Sequence, residues 1–171
     1  MERSFLDHYT PTLCGEIAAD LRLPIARMMN RGTLHRQALF MHFAIAAPEL
    51  GFPWYREVAT AEFGTLPSSE WDHPFDKIAR GKNRISGRTG ELSRTVQLLK
   101  PELLLPSDVR FWGNWKEGPI MVACSAAKPW YDMAISKMAC GLIVAYLDQV
   151  RFEWDQQMEA LGVETYQPQD M

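Results

Sequence analysis

Two strand–turn–strand patterns constrain the fold of this chain more than any other feature of its sequence. The first joins the apolar run ALFMHFAIAA (38–47) to WYREVATAEF (54–63) through PELGFP (48–53), whose two prolines and one glycine are typical of a turn. The run at 38–47 is compatible with a helix, but its length, Phe and Ile content favour a buried strand. The second pattern joins VRFWGNWKEG (109–118) to PIMVACSA (119–126). Together they predict two β-hairpins in one antiparallel sheet.

Helical segments surround these hairpins. Apolar residues at helical spacing predict helices over 11–31, 74–86, part of 93–108, and 129–158. Pro24 should kink or divide the first of these helices. Gly87 and Gly90 are expected to end the second.

The predicted order is α, β, β, α, short α, β, β, α in a single domain spanning residues 1–171. This order predicts an α/β (α+β) fold with a single antiparallel sheet of about four to five strands. Helices flank that sheet, and the longest of them is C-terminal. Residues 159–171 are expected to form a flexible tail.

Composition excludes several classes of function. The formal net charge is −3, whereas nucleic-acid binding requires a broad basic surface. The sequence has no run of about 18–20 apolar residues and no signal-peptide pattern, so we expect neither a membrane span nor export. Three cysteines without a CxxC pair predict reduced thiols in a cytoplasmic protein. No zinc-type or HExxH spacing predicts a metal site.

Positive charge is concentrated in HPFDKIARGKNRISGRTG (73–90), which contains five basic side chains. Lys82 falls on the apolar stripe of the predicted helix. Its stem could pack there while its ammonium group stays in water; alternatively, desolvation would lower its pKa and make it an acid, a base or an anion ligand. Arg84 and Arg88 could bind a carboxylate or phosphate through paired hydrogen bonds, or belong to a solvated face. No GxxxxGK[ST] or GxGxxG motif accompanies them.

Two further residues are candidates for acid–base chemistry. His42 lies within the first apolar run, where it could be a hydrogen-bonded core residue, a general base or an axial iron ligand. Asp132 opens the last helix, where its charge suits the helix dipole. It could instead face Lys82 or a substrate proton.

Aromatic residues beside glycine or proline often line pockets or subunit contacts. The chain has six tryptophans, and Trp54, Trp112 and Trp130 have such neighbours. Tyr131 adjoins the last of them, and Glu49 lies in the turn of the first hairpin. These five residues are candidate ligand-binding residues.

The segments HPFDKIARGKNRISGRTG, FWGNWKEGPIMVACSA and PWYDMAI resemble the haem-binding HbpS-like and GlcG-like family. In that family, a lysine-bearing helix precedes a small-residue turn, a Gly–Gly hairpin, a strand ending in small residues, and an acidic residue that opens the last helix. The matching positions here are Lys82, Gly113 with Gly118, Ala123 to Ala126, and Asp132. The resemblance is specific over 73–148, whereas APELGFP (47–53) departs from the family's usual Asp-Ala-Gly-Gly turn. It implies a profilin-like sheet, a homo-oligomer, pockets between subunits, and haem as a ligand.

Three functions are consistent with these features. The first is a small-molecule-binding oligomer that holds haem or another anionic aromatic ligand in a pocket lined by the basic helix 74–90. The second is a cofactor-independent isomerase, cyclase, hydratase or lyase, in which Lys82, His42 or Asp132 transfers protons. The third is a structural or regulatory oligomer without pocket chemistry. None of them involves nucleic acid or a membrane.

Overall fold

The computed structural model describes residues 5–162. Four helices and four strands follow the predicted order, with short 3₁₀ turns between some of them. The elements are α1 (Pro11–Asn30), β1 (Ala38–Ala46), β2 (Tyr55–Gly64), α2 (Phe75–Thr89), α3 (Ser93–Leu99), β3 (Asn114–Glu117), β4 (Ile120–Ser125) and α4 (Pro129–Ala160).

The strands form one antiparallel sheet in the order β2-β1-β4-β3. Both predicted hairpins are present, and they join where β1 pairs with β4. His42, in the middle of β1, lies opposite Thr60 on one side and Ala123 on the other. The prediction of a single antiparallel sheet flanked by helices is therefore confirmed.

Helices cover both faces of the sheet, which explains why the central strands β1 and β4 are apolar almost throughout. On one face, Phe40 and His42 point toward α2, since Arg80 stacks on the Phe40 ring and Asn83 contacts His42. Helices α1 and α4 pack together on the other face. The alternating residues of β1, such as Met41 and Phe43, point toward that layer.

Two local expectations were wrong, and one of two alternatives is excluded. Pro24 does not divide α1 in two, since the helix runs from Pro11 to Asn30 and Leu21 and Ile25 on either side of the proline are buried in the core. Strand β3 is shorter than 109–118 and begins only at Asn114. Helix α2 does not end at Gly87, which lies inside it.

Gly87 and Gly90 have different roles in α2. A Cβ on Gly87 would lie 2.3 Å from the backbone oxygen of Trp54, so glycine allows the turn between β1 and β2 to lie against the helix. Gly90 has a φ of +76° and forms the left-handed C-cap.

Helix α4 extends to Ala160, so the first two residues of the predicted tail are helical. Most of that tail, residues 163–171, lies outside the described residues.

Candidate functional site

Lys82 and Asp132 form a buried ion pair where α2 meets the start of α4. Lys82 is 0% exposed, and its Nζ donates hydrogen bonds to Asp132 Oδ2 at 2.7 Å and to the Cys124 carbonyl at 2.5 Å. The other Asp132 oxygen accepts a bond from the Ala127 N–H at 3.1 Å. The predicted option that Asp132 faces Lys82 is thus confirmed. Lys82 neither reaches water nor points into an open pocket.

Burial and charge act in opposite directions on this pair. Burial raises the pKa of Asp132 to about 6, although the Lys82 ammonium group and the Ala127 N–H both favour the ionised carboxylate. Removing either partner would leave the other buried without a counter-charge. The pair links α2 to the first turn of α4.

Gly113 allows the chain to approach this pair closely. Its φ is +129°, and a Cβ there would lie 2.6 Å from the Asp132 Cβ and 2.8 Å from the Pro129 carbonyl oxygen. Only glycine is free of both the backbone strain and the collision. Gly113 therefore lets the segment before β3 lie against the start of α4.

His42 is fully buried between the sheet and α2. Its Nδ1 lies 3.0 Å from Asn83 Nδ2, which is a donor, so the neutral ring carries its proton on Nε2. Nε2 lies 3.1 Å from Glu57 Oε2 but outside hydrogen-bonding geometry, so this contact is electrostatic. Burial lowers the pKa of His42 to about 4.

The Asn83 amide continues this polar chain across the sheet. Asn83 Oδ1 accepts a hydrogen bond from Asn114 Nδ2 at 3.2 Å, and the same nitrogen is 2.7 Å from Ser86 Oγ. Asn114 Oδ1 accepts bonds from the Ser93 N–H at 3.0 Å and the Ser93 hydroxyl at 2.5 Å. All of these side chains are buried. They connect β1, β3, α2 and α3 in one polar network.

Arg84 and Arg88 secure a loop to α2 instead of facing an open site. Arg88 binds Asp108 Oδ2 at 2.5 Å and the Leu103 carbonyl at 3.0 Å. Arg84 binds the Ser107 carbonyl at 2.6 Å and lies 3.6 Å from Asp108 Oδ1. Asp108 is itself buried. Both guanidinium groups are therefore already paired, which leaves little positive charge for an anionic ligand.

Three of the predicted ligand-binding residues, all tryptophans, are stacked against basic side chains. Trp54 lies beneath Arg88, Trp112 beneath Arg94, and Trp130 beside Lys128. Tyr131 follows Trp130 in the first turn of α4, and Glu49 is exposed in the 3₁₀ turn after β1. None of these residues lines the cleft described next.

An open cleft of about 610 Å³ lies on the α2 side of the sheet, beside β1 and β2. Two aromatic side chains in its lining, Phe40 and Trp71, pack edge to face with ring centroids 6.1 Å apart. Charged side chains of β2, of the segment before α2 and of α2 complete the lining: Glu62, Asp72, Asp76 and Arg80. The first half of the basic helix therefore lines a pocket, but Lys82 does not.

The charge of this cleft is negative. Arg80 binds Glu57 at 2.8 Å and Asp76 at 3.3 Å, and Arg36 forms an ion pair with Asp72. The Arg36 guanidinium also holds the pKa of Asp72 below its usual value. Within residues 5–162, Glu62 has no ion-pair partner. The cleft therefore presents a free carboxylate next to an aromatic surface.

Comparison of the chain with protein-family models, curated proteins and solved structures finds no match. The resemblance to the HbpS-like and GlcG-like family accordingly stays a prediction. Function has to be argued from the geometry of the site itself.

The lining of the cleft does not fit a haem. An imidazole is present, since His73 lies at the rim, and Phe40 and Trp71 offer aromatic contacts. The haem propionates, however, would approach the carboxylates of Glu62, Asp72 and Asp76, while the one arginine in the lining is already paired. The charge of this lining therefore disfavours haem as an occupant of the cleft.

The depressed pKa of His42 predicts a pH-dependent contribution to stability. Between pH 6.5 and pH 4 the unfolded chain protonates this residue while the folded chain does not, so its contribution is present above 6.5 and lost as the pH falls. The stability difference between the wild type and His42→Gln should shrink by about 3 kcal/mol over that range. Asp132, whose pKa is raised, has the opposite pH dependence. Because Asp132 is present in both proteins, its contribution cancels in the difference between their free energies of unfolding.

Urea denaturation of both proteins across this pH range measures the effect. A constant difference would show that His42 has the same pKa in the folded and unfolded chains, and the assignment of a depressed pKa would then be wrong.

Proposed function

We propose that this chain is a small-molecule-binding protein whose cleft beside Phe40 and Trp71 takes a small aromatic or planar organic cation. The observation that carries the proposal is the unpaired Glu62 carboxylate beside an aromatic surface, in a cleft of about 610 Å³. Clefts of about 300–1,000 Å³ with a few placed polar groups are typical of small-molecule sites.

Cation recognition follows from the chemistry of the lining. A ring against Trp71 would gain apolar and stacking contacts. Its ammonium group would lie near Glu62, because Asp72 and Asp76 are already paired with Arg36 and Arg80. The protein already places its own cations over neighbouring rings, with Arg80 5.3 Å from the Phe40 centroid and Arg36 5.4 Å from that of Phe75. The anionic ligand expected from the basic sequence of α2 is disfavoured by the same charges.

The enzymatic alternative receives less support. Lys82 and His42 are both 0% exposed, so a substrate could not contact either side chain without a rearrangement of the fold. Asp132 is also buried and is bound to Lys82. Proton transfer by these three groups stays a prediction from the sequence.

Isothermal titration with 2-phenylethylammonium tests the proposal. We expect saturable binding by the wild type, weaker binding of the neutral analogue 2-phenylethanol, and about fivefold weaker ammonium binding by Glu62→Gln. Glu102→Gln, at an exposed position away from the cleft, is the matched control and should leave the affinity unchanged.

Two results would overturn the proposal. One is equal binding of the ammonium and the alcohol, which would remove the role of charge. The other is a saturable Soret shift with haemin that is lost when Trp71 is replaced by alanine, which would place haem in the cleft.

A further inference from the structure

Helix α4 carries an apolar surface that nothing in the described chain covers. Residues 138–147, MACGLIVAYL, include no charged residue. One side of this segment packs on the sheet, but Met138, Leu142 and Tyr146 are 45%, 40% and 41% exposed. Gly141 and Ala145 are exposed on the same side of the helix.

The C-terminal part of α4 continues beyond the core. No residue from 148 to 160 is buried. Phe152 and Trp154 are nevertheless 62% and 46% exposed. At the other end of the helix, Trp130 is 51% exposed. Large apolar side chains exposed over one long helix are typical of an interface.

The charges at the ends of the apolar segment indicate what covers it. Lys137 precedes the segment, with its Nζ 4.5 Å from the centre of the Trp115 ring, and Asp148 follows the segment. Both residues are exposed. Because they are eleven positions apart, they point to nearly the same side of the helix, about 20° from each other. A second α4 running antiparallel would bring Lys137 of each copy level with Asp148 of the other. A parallel copy would place like charges together.

We propose that two copies of this chain pair through α4 in an antiparallel, two-fold symmetric arrangement centred between Leu142 and Ile143. This arrangement is isologous, so each copy contributes the same apolar face and the same pair of charges. Gly141 and Ala145 allow the two helices to approach closely, and a Cβ on Gly141 would meet nothing within 4 Å in a single chain.

The same register accounts for the projecting end of the helix. Residues 148–160 of one copy lie alongside the first turns of α4 in the other. Phe152 lies on the same side of the helix as Gly141, about 20° from it, and comes within about one turn of Tyr131 of the second copy, whereas Trp154 points to the opposite side. Phe152 and Tyr131 are then covered together, which gives Tyr131 a role that the cleft does not.

A lipid bilayer is the alternative environment that could cover the apolar surface of α4. By length and composition alone, α4 is long and apolar enough to cross a membrane. Buried helices of globular proteins meet the same criteria. The uncharged segment, however, is only about 15 Å long, half the thickness of a hydrocarbon core. The paired charges at its ends favour the second copy.

Sedimentation velocity at micromolar concentrations tests the dimer. The wild type should sediment at twice the monomer mass of 19.6 kDa. Leu142→Glu places two like charges at the centre of the interface and should raise the dimer dissociation constant about 100-fold or more. Leu23→Glu, at a leucine of α1 that is 58% exposed, is the matched control and should leave the mass unchanged.

A charge exchange tests the antiparallel register. Lys137→Glu and Asp148→Lys should each weaken the dimer, and the double variant should restore it. Circular dichroism confirms that each variant is folded. A monomeric wild type, a dimer insensitive to Leu142→Glu, an unrestored double variant, or Leu142-dependent sedimentation with phosphatidylcholine vesicles would each overturn the proposal.

Discussion

Replacing Asp132 with asparagine is expected to lower the free energy of unfolding by about 4 kcal/mol. The Lys82 ammonium group is 0% exposed, and its hydrogen-bond partners within residues 5–162 are Asp132 Oδ2 and the Cys124 carbonyl. Without the carboxylate, its charge stays buried with no counter-charge, or the lysine must give up its proton. Chemical denaturation of the purified proteins measures the change.

A double variant tests whether the loss of stability comes from leaving one buried charge without its partner. The double variant Lys82→Met/Asp132→Leu removes both charges and fills the same space, so it should recover to within about 1 kcal/mol of the wild type. Glu91→Gln, which breaks an exposed ion pair with Lys100, is the control and should cost less than about 1 kcal/mol. A loss below about 1 kcal/mol in Asp132→Asn would mean that the pair does not hold α2 and α4 together.

Asn114→Ala is expected to have a comparable effect, also about 4 kcal/mol. The Asn114 amide bonds Asn83, Ser86 and Ser93, each of which is 0% exposed. Truncation leaves their polar atoms buried without partners, and each orphaned group is costly.

Thermal unfolding followed by circular dichroism measures this second loss. Asn30→Ala, at the exposed end of α1, serves as the control and should change stability by less than about 0.5 kcal/mol. If Asn114→Ala also changed stability by less than about 0.5 kcal/mol, water or a rearranged hydroxyl would have to satisfy the groups that the amide bonds. The polar network would then not depend on Asn114.

The fold could be predicted because its pattern is local. Apolar runs of strand length beside turn residues predicted both hairpins, and the helical spacing of apolar residues predicted α1, α2 and α4. The boundaries depended on tertiary contacts instead. Gly87 stays within α2 because the turn residue Trp54 packs against it, and this contact leaves no signal in the sequence near Gly87.

The site was harder to predict because its parts are distant in the sequence. Lys82 was correctly placed on an apolar stripe, but whether its ammonium group reaches water depends on α4. Asn83 and Ser86, three residues apart on α2, were the available signal for a polar network. The cleft combines residues of β1, β2, α2 and the segment before it, and their juxtaposition follows only from the assembled sheet.

The most direct test of ligand binding in the cleft is a map of backbone-amide and indole NMR shifts during titration with 2-phenylethylammonium. We predict that the shifts concentrate at Phe40, Thr60, Glu62 and the Trp71 indole, and saturate together. Shifts centred on Trp54 and Trp112, or no saturable shifts at all, would contradict the assignment of this cleft as the ligand site.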